Sequence, residues 1–143
     1  MATDMKKLAD DWITAWNSHD PPKIVAWYTD DCLCEAVGAL GSVSRGKGEL
    51  LKYLETLASN YPDFRVEPKT AFYSGNSVCG EFVVSGTQVK SSNPAIPATG
   101  KRFSVRGAYV SEWQNGKVKR HTMYEDYLTV MQQLGPMPPM PAK

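Results

Sequence analysis

Asn115-Gly116 lies between two segments that alternate apolar and polar residues, Arg102–Trp113 and Lys117–Tyr127. Both central residues of a tight hairpin turn take positive φ, which asparagine and glycine tolerate best. This dipeptide therefore commits the C-terminal part of the chain to a hairpin. Two further alternating segments precede it, Phe64–Tyr73 and Val78–Val89, joined by the turn Ser74-Gly75-Asn76-Ser77. Lys90–Gly100 carries Pro94 and Pro97 and reads as a loop. The second half of the chain is thus strand, and antiparallel.

The first half is helical. Met5, Leu8, Trp12 and Ala15/Trp16 recur at three- and four-residue spacing, which predicts a helix from about Asp4 to Ser18 with one apolar stripe. Thr3 is placed to cap it, with Asp4 at its positive end. Asn17 to Pro22 stops this helix, and Asp20-Pro21 starts a short second one running through Trp27-Tyr28. Thr29-Asp30-Asp31 reads as a turn before a strand, Cys32–Val37. A glycine-rich connection, Gly38 to Gly48, leads to a third helix ending near Asn60, with Leu50, Tyr53, Leu54 and Leu57 on one face. Thr129–Gly135 reads as one helical turn. Helices followed by antiparallel strands make an α+β fold, a curved sheet covered by three N-terminal helices, with a pocket where sheet and helices part. The expected domain is 1–135, followed by a mobile proline-rich tail, 136–143.

Composition narrows the function. The chain has 143 residues, 16 Lys+Arg against 15 Asp+Glu, and a net charge of +1, which gives no electrostatic case for nucleic acid or an anionic membrane. No apolar run approaches the ~20 residues of a membrane helix, and the start lacks the apolar stretch of a secretory signal. Cys32, Cys34 and Cys79 make an odd count, and no Asn-x-Ser/Thr site occurs; a reduced, cytoplasmic setting is expected.

A strict two-residue loop sets the hairpin register. It pairs Trp113 with Val118, Ser111 with Arg120, Tyr109 with Thr122, Gly107 with Tyr124 and Val105 with Asp126 on one face. Glu112–Lys119, Val110–His121, Ala108–Met123 and Arg106–Glu125 pair on the other, which suits solvent or a subunit interface. The first face carries Phe103, Tyr109, Trp113 and Tyr124 and is expected to line the pocket. Asp126 then points inward among aromatics, where lost hydration raises a carboxyl pKa and suits it to take a proton from carbon beside a carbonyl. Tyr109, Thr122 and Tyr124 are placed to donate hydrogen bonds to the resulting enolate. Trp16, Tyr28, Tyr53 and Val105 are further candidates for the lining. The alternative is that Asp126 caps the final turn or meets solvent at the strand end.

Several segments together resemble a known superfamily: Trp12-x-x-x-Trp16-Asn17, Trp27 to Cys32, Arg45-Gly46-Lys47-Gly48 and Asn115 to Val118. They are similar to the nuclear transport factor two-like proteins. The ending Tyr124-Glu125-Asp126-Tyr127…Gln132-Gln133-Leu134-Gly135 resembles its SnoaL-like polyketide cyclase branch. The resemblance spans roughly residues 4–135. It implies a cone of curved sheet, a homodimer, no metal or cofactor, a small apolar ligand, and Asp126 as general base in an aldol ring closure. The cyclases carry a histidine on the preceding strand; here Val105, Gly107, Tyr109 and Ser111 hold those inward positions, and Tyr109 stands as the replacement. In the ketosteroid isomerase branch the base precedes a Val-Gly pair, where this chain has Ala36. A non-catalytic binding or dimerisation module on the same scaffold is the second reading.

Other constellations carry less. Gly41 to Gly48 nearly matches a phosphate-binding loop, but Gly48 replaces the magnesium-binding hydroxyl. Cys32 and Cys34, even with His121, Glu125 or Asp126, lack the spacing of a zinc site and read as core residues. His19 is expected at the surface and His121 at an interface, neither beside a nucleophile.

Overall fold

A computed structural model describes residues 4–38, 41–92 and 97–135. The proline-rich tail, Thr3 and the centre of the 90–100 loop lie outside the described residues. Helix α1 is Met5–Trp16, and Asp4 rather than Thr3 is its cap, accepting from the Lys7 amide. The helix stops at Trp16 because Asn17 turns its side chain to the sheet. There it donates to the Val66 carbonyl at 2.8 Å and accepts from the Val66 amide at 2.7 Å, imitating a strand partner. Asp20 caps α2, Pro21–Val25. Strand β1, Tyr28–Val37, begins four residues before the expected Cys32, and the polar triplet Thr29-Asp30-Asp31 is absorbed by a break in register rather than a turn.

Strand β2, Ser42–Arg45, occupies what reads in sequence as a loop and pairs antiparallel with β1. Helix α3, Gly46–Asn60, follows at once; the Glu49 carboxylate accepts from the Arg45 amide at 3.1 Å and stands in for a side-chain cap. A strand paired antiparallel before the helix is not the parallel framework of a phosphate loop. Strands β3 (Arg65–Ser74), β4 (Ser77–Thr87), β5 (Arg102–Gln114) and β6 (Lys117–Glu125) complete an open sheet, and helix α4, Tyr127–Leu134, ends the fold. The order across the six strands is β2-β1-β6-β5-β4-β3, antiparallel except where β6 lies parallel to β1. No helix among the described residues is long and apolar enough to cross a membrane.

The helices pack on one face. Trp12, Leu50 and Leu54 project from α1 and α3 into the core, each essentially sealed from solvent. The Trp12 ring meets Tyr109, Trp113 and His121 edge-on, at centroid distances of 5.6, 5.4 and 4.7 Å. Gly107 lets the sheet curl beneath Phe82: a Cβ there would come within 2.8 Å of that ring.

The hairpin turn is as expected, with Asn115 and Gly116 at φ 52° and 76°. The register beyond it is not. Trp113 pairs with Val118, but Glu112 pairs with Arg120, leaving Lys119 as a bulge. One extra residue reverses the alternation of everything after it. Val110 therefore pairs with Thr122, Tyr109 with Met123, and Gly107 with Glu125. His121, Met123 and Glu125 turn to the inner face; Arg120, Thr122 and Tyr124 turn out. Deleting Lys119 would remove the bulge and still leave Arg120 opposite Glu112 and His121 opposite Ser111, so the same residues would face the core. The expected result is retained amide dispersion in the NMR spectrum and a cooperative melt; loss of both would contradict this register, because in an unbroken ladder the same deletion would reverse the faces.

Candidate active site

Between the inner face of the sheet and helices α3 and α4 lies a cavity of about 300 Å³, at the small end of the range for ligand pockets. Phe103, Met123 and Leu57 supply apolar wall. Glu125 enters it from the end of β6, and Tyr53, Tyr61 and Tyr127 border it from the helical side. Among the described residues no side chain or amide bonds the Glu125 carboxylate. Loss of hydration alone pushes its pKa up to about 7. Burial is also the main reason the Tyr53, Tyr61 and Tyr127 hydroxyls hold their protons above the ordinary range, and the Glu125 charge adds to it. The site thus offers one poised base and three neutral hydroxyl donors.

A second, inner compartment of about 30 Å³ adjoins the first, sharing Trp16, Phe64, Met123 and Glu125 with it. His121 and Tyr109 border it from the sheet. Here the core is tied by one hydroxyl: Tyr28 accepts from the Trp12 and Trp16 indoles at 3.3 and 3.2 Å and lies 3.0 Å from His121 Nδ1. Burial without a counter-charge takes the His121 pKa down to about 3, so the ring is neutral.

Asp126 is not in either cavity. It is exposed and caps α4, one carboxylate oxygen accepting from the Thr129 amide at 3.1 Å and the other from the Thr129 hydroxyl at 2.6 Å. These bonds favour its charged form and lower its pKa. The bulge turns Tyr124 out as well, 47% exposed, and sets Thr122 between Val110 and Glu35 on the outer face. His121, placed at an interface by the unbroken register, is core.

Of the expected lining, Trp16, Tyr53 and Phe103 do border the main cavity, and Tyr109 borders the inner one. Val105 and Trp113 are buried beside the cavities without lining them, Trp113 donating to the Ser111 hydroxyl at 3.0 Å. Tyr28 stands behind His121. Cys34 approaches His121 Nδ1 at 3.8 Å, and burial holds its thiol neutral, with a pKa pushed up to about 12. No group of three or more potential metal ligands gathers among the described residues. His19 bonds the Phe64 carbonyl. Sequence reasoning missed Glu125, Tyr61 and Tyr127; the spacing Asp126-x-x-Thr129, a helix-start signal, marks Glu125 as the last strand residue.

The folded chain keeps the Glu125 proton to higher pH than the unfolded chain. Its contribution to stability is complete below the ordinary value of 4.5 and is lost as the pH rises through about 7. Glu125→Gln should therefore gain in melting temperature relative to the parent between pH 5 and pH 8. Carboxyl NMR should show Glu125 titrating near 7 and Asp126 below the ordinary ~3.9. A Glu125 midpoint at the ordinary glutamate value would contradict its desolvation.

The chain matches the model of the SnoaL-like polyketide cyclase family over residues 6–134. No curated protein matches it significantly. Its fold is shared by a candidate polyketide cyclase from Pseudomonas putida, with TM-score 0.83, 19% identity, 94% of this chain and 100% of the other covered. IdmH, a candidate polyketide cyclase from Streptomyces antibioticus, gives TM-score 0.77 at 20% identity, covering 93% and 99%. A protein with a ketosteroid isomerase-like fold from Catenulispora acidiphila gives 0.77 at 18%, covering 94% and 97%. On the family match, spanning nearly its whole length, this chain belongs to the SnoaL-like polyketide cyclase family.

Proposed function

We propose that this chain is an enzyme that uses Glu125 as a general base on a small, largely apolar carbonyl compound. The supporting observation is the Glu125 carboxylate itself, at the cavity wall, without hydrogen bonds to the described residues, and with a pKa raised to about 7. A base poised near the working pH is best matched to a weakly acidic C–H. The carboxylate takes the proton from carbon beside a carbonyl, and the electron pair moves onto the carbonyl oxygen. Tyr53, Tyr61 or Tyr127, each still protonated, donates a hydrogen bond to that developing oxyanion. In ring closure the enolate carbon bonds to a second carbonyl of the same molecule, and the new alkoxide recovers the proton from Glu125. In isomerisation the proton returns at another carbon. Neither course calls on a cofactor. The family resemblance names Asp126 for the base; the reading moves that role one residue back.

Homodimer formation belongs to the same proposal. Phe72, Cys79, Val110, Thr122, Glu35 and Val43 align in one row across the outer face, with Phe72 68% and Val43 46% exposed. That stripe is the natural surface for a second copy.

The test is exchange of protons beside the carbonyl of methyl ketones and β-diketones in D2O, followed by NMR. Exchange should rise with pH through a single ionisation near 7 and fall roughly 10²–10⁴-fold in Glu125→Gln. Asp126→Asn should lower the melting temperature and leave exchange close to that of the parent. Undiminished exchange in Glu125→Gln would remove the proposal.

A further inference from the structure

His121 is 4% exposed and its two ring nitrogens have different surroundings. An indole N–H can only donate. The Tyr28 oxygen therefore accepts from Trp12 and Trp16, which fills both its lone pairs, and its single proton is left to point at His121 Nδ1. Nδ1 is the acceptor of that bond, so the ring proton sits on Nε2. Among the described residues Nε2 has no partner, and none of their fully sealed side-chain nitrogens or oxygens is unsatisfied. Nε2 thus opens onto the inner compartment that His121 lines. That space, about 30 Å³, exceeds the ~10–15 Å³ a water requires and admits one oxygen-sized group. Phe64, Phe82, Ile13 and Met123 line it with apolar side chains, the Trp12 and Trp16 indoles are committed to Tyr28, and Tyr109 and Glu125 are its other polar neighbours.

We infer that the inner compartment is a recognition subsite in which the Nε2–H of His121 donates to a neutral acceptor oxygen, a ketone or ester carbonyl. Its ligand is an apolar molecule that extends from there past Met123 into the main cavity. The compartment disfavours a carboxylate, because a neutral N–H in an apolar pocket does not compensate a buried charge. Combined with the general-base reading, on which this last step rests, the substrate carries at least two carbonyl groups: one beside Glu125 that reacts, and one deeper in that orients it. His121 is then a specificity residue, and Tyr28, which fixes the tautomer, is a positioning residue.

Two probes of one shape test this: 2-acetylnaphthalene and its carbonyl-free counterpart 2-isopropenylnaphthalene, each titrated against tryptophan fluorescence. The parent should bind the ketone roughly tenfold more tightly, the size of one neutral hydrogen bond. His121→Phe should bind the two equally. His121→Gln, whose amide can accept from Tyr28 and donate inward, should restore the preference. Tyr53→Phe, which lies outside this compartment, should keep it, so loss of exchange in Glu125→Gln tests the base while the binding ratio in His121→Phe tests the subsite. Long-range 1H–15N correlation on the unmodified protein should show His121 as the Nε2–H form, with that proton shifting on addition of the ketone. An Nδ1–H tautomer, equal affinity for the probes in the parent, or a preference that survives His121→Phe would overturn the inference.

Discussion

A single unpaired residue at Lys119 governs the rest of this structure. Side chains on a strand alternate strictly, so the face that β6 shows the helices depends on whether one residue is inserted after the turn. With Lys119 bulged, His121, Met123 and Glu125 go inward. Every feature of the cavity follows: the carboxylate at its wall, the thioether between its two compartments, and the imidazole under the tryptophans. Without the bulge the same sequence would present arginine, threonine and tyrosine to that core.

Glu125 and Asp126 show how little sequence proximity says about electrostatics. They are neighbours in the chain, yet one sits at the cavity wall with no hydrogen bond from the described residues and the other receives an amide and a hydroxyl. The first loses hydration and holds its proton to about 7; the second gains hydrogen bonds and loses its proton more readily than usual. The boundary between strand and helix falls between them, and that boundary leaves one at the cavity wall and makes the other a cap. The same economy governs Tyr28, whose one hydroxyl orders two indoles and selects a histidine tautomer.

Much of the fold is legible because it rests on strong local signals. The stripe of Trp12 and Trp16, the Asp20-Pro21 helix start and the Asn115-Gly116 turn each act over a few residues. The inner face of β5, from Phe103 to Trp113, also reads correctly, since Phe103, Val105, Tyr109 and Trp113 all fall on alternate positions, on one side of the strand. Strand β2 is hidden because it is four residues, Ser-Val-Ser-Arg, set between Gly41 and Gly46, and its pairing with β1 is not encoded locally. The site is harder. A bulge at Lys119 has no compositional mark, because lysine suits either face of an exposed strand end. Tyr61 and Tyr127 reach the cavity through the tertiary approach of α3 and α4, which no spacing along one strand encodes. The cap spacing at Asp126 was the available clue, and it conflicts with the unbroken register.

The strand order β2-β1-β6-β5-β4-β3 places the last strand of the sequence between the first and the ones just before it. Until β6 is in place, the chain holds two separate sheets, β1 with β2 and β3 with β4 and β5, each with an open edge of unpaired amides. Their union requires β6 to add parallel to β1 across some ninety residues of intervening chain, a non-local contact that is slow to form. During synthesis the cavity is therefore assembled late, when β6 and then α4 leave the ribosome, and the exposed edges of the two half-sheets are the stage at which this chain is most open to misassociation.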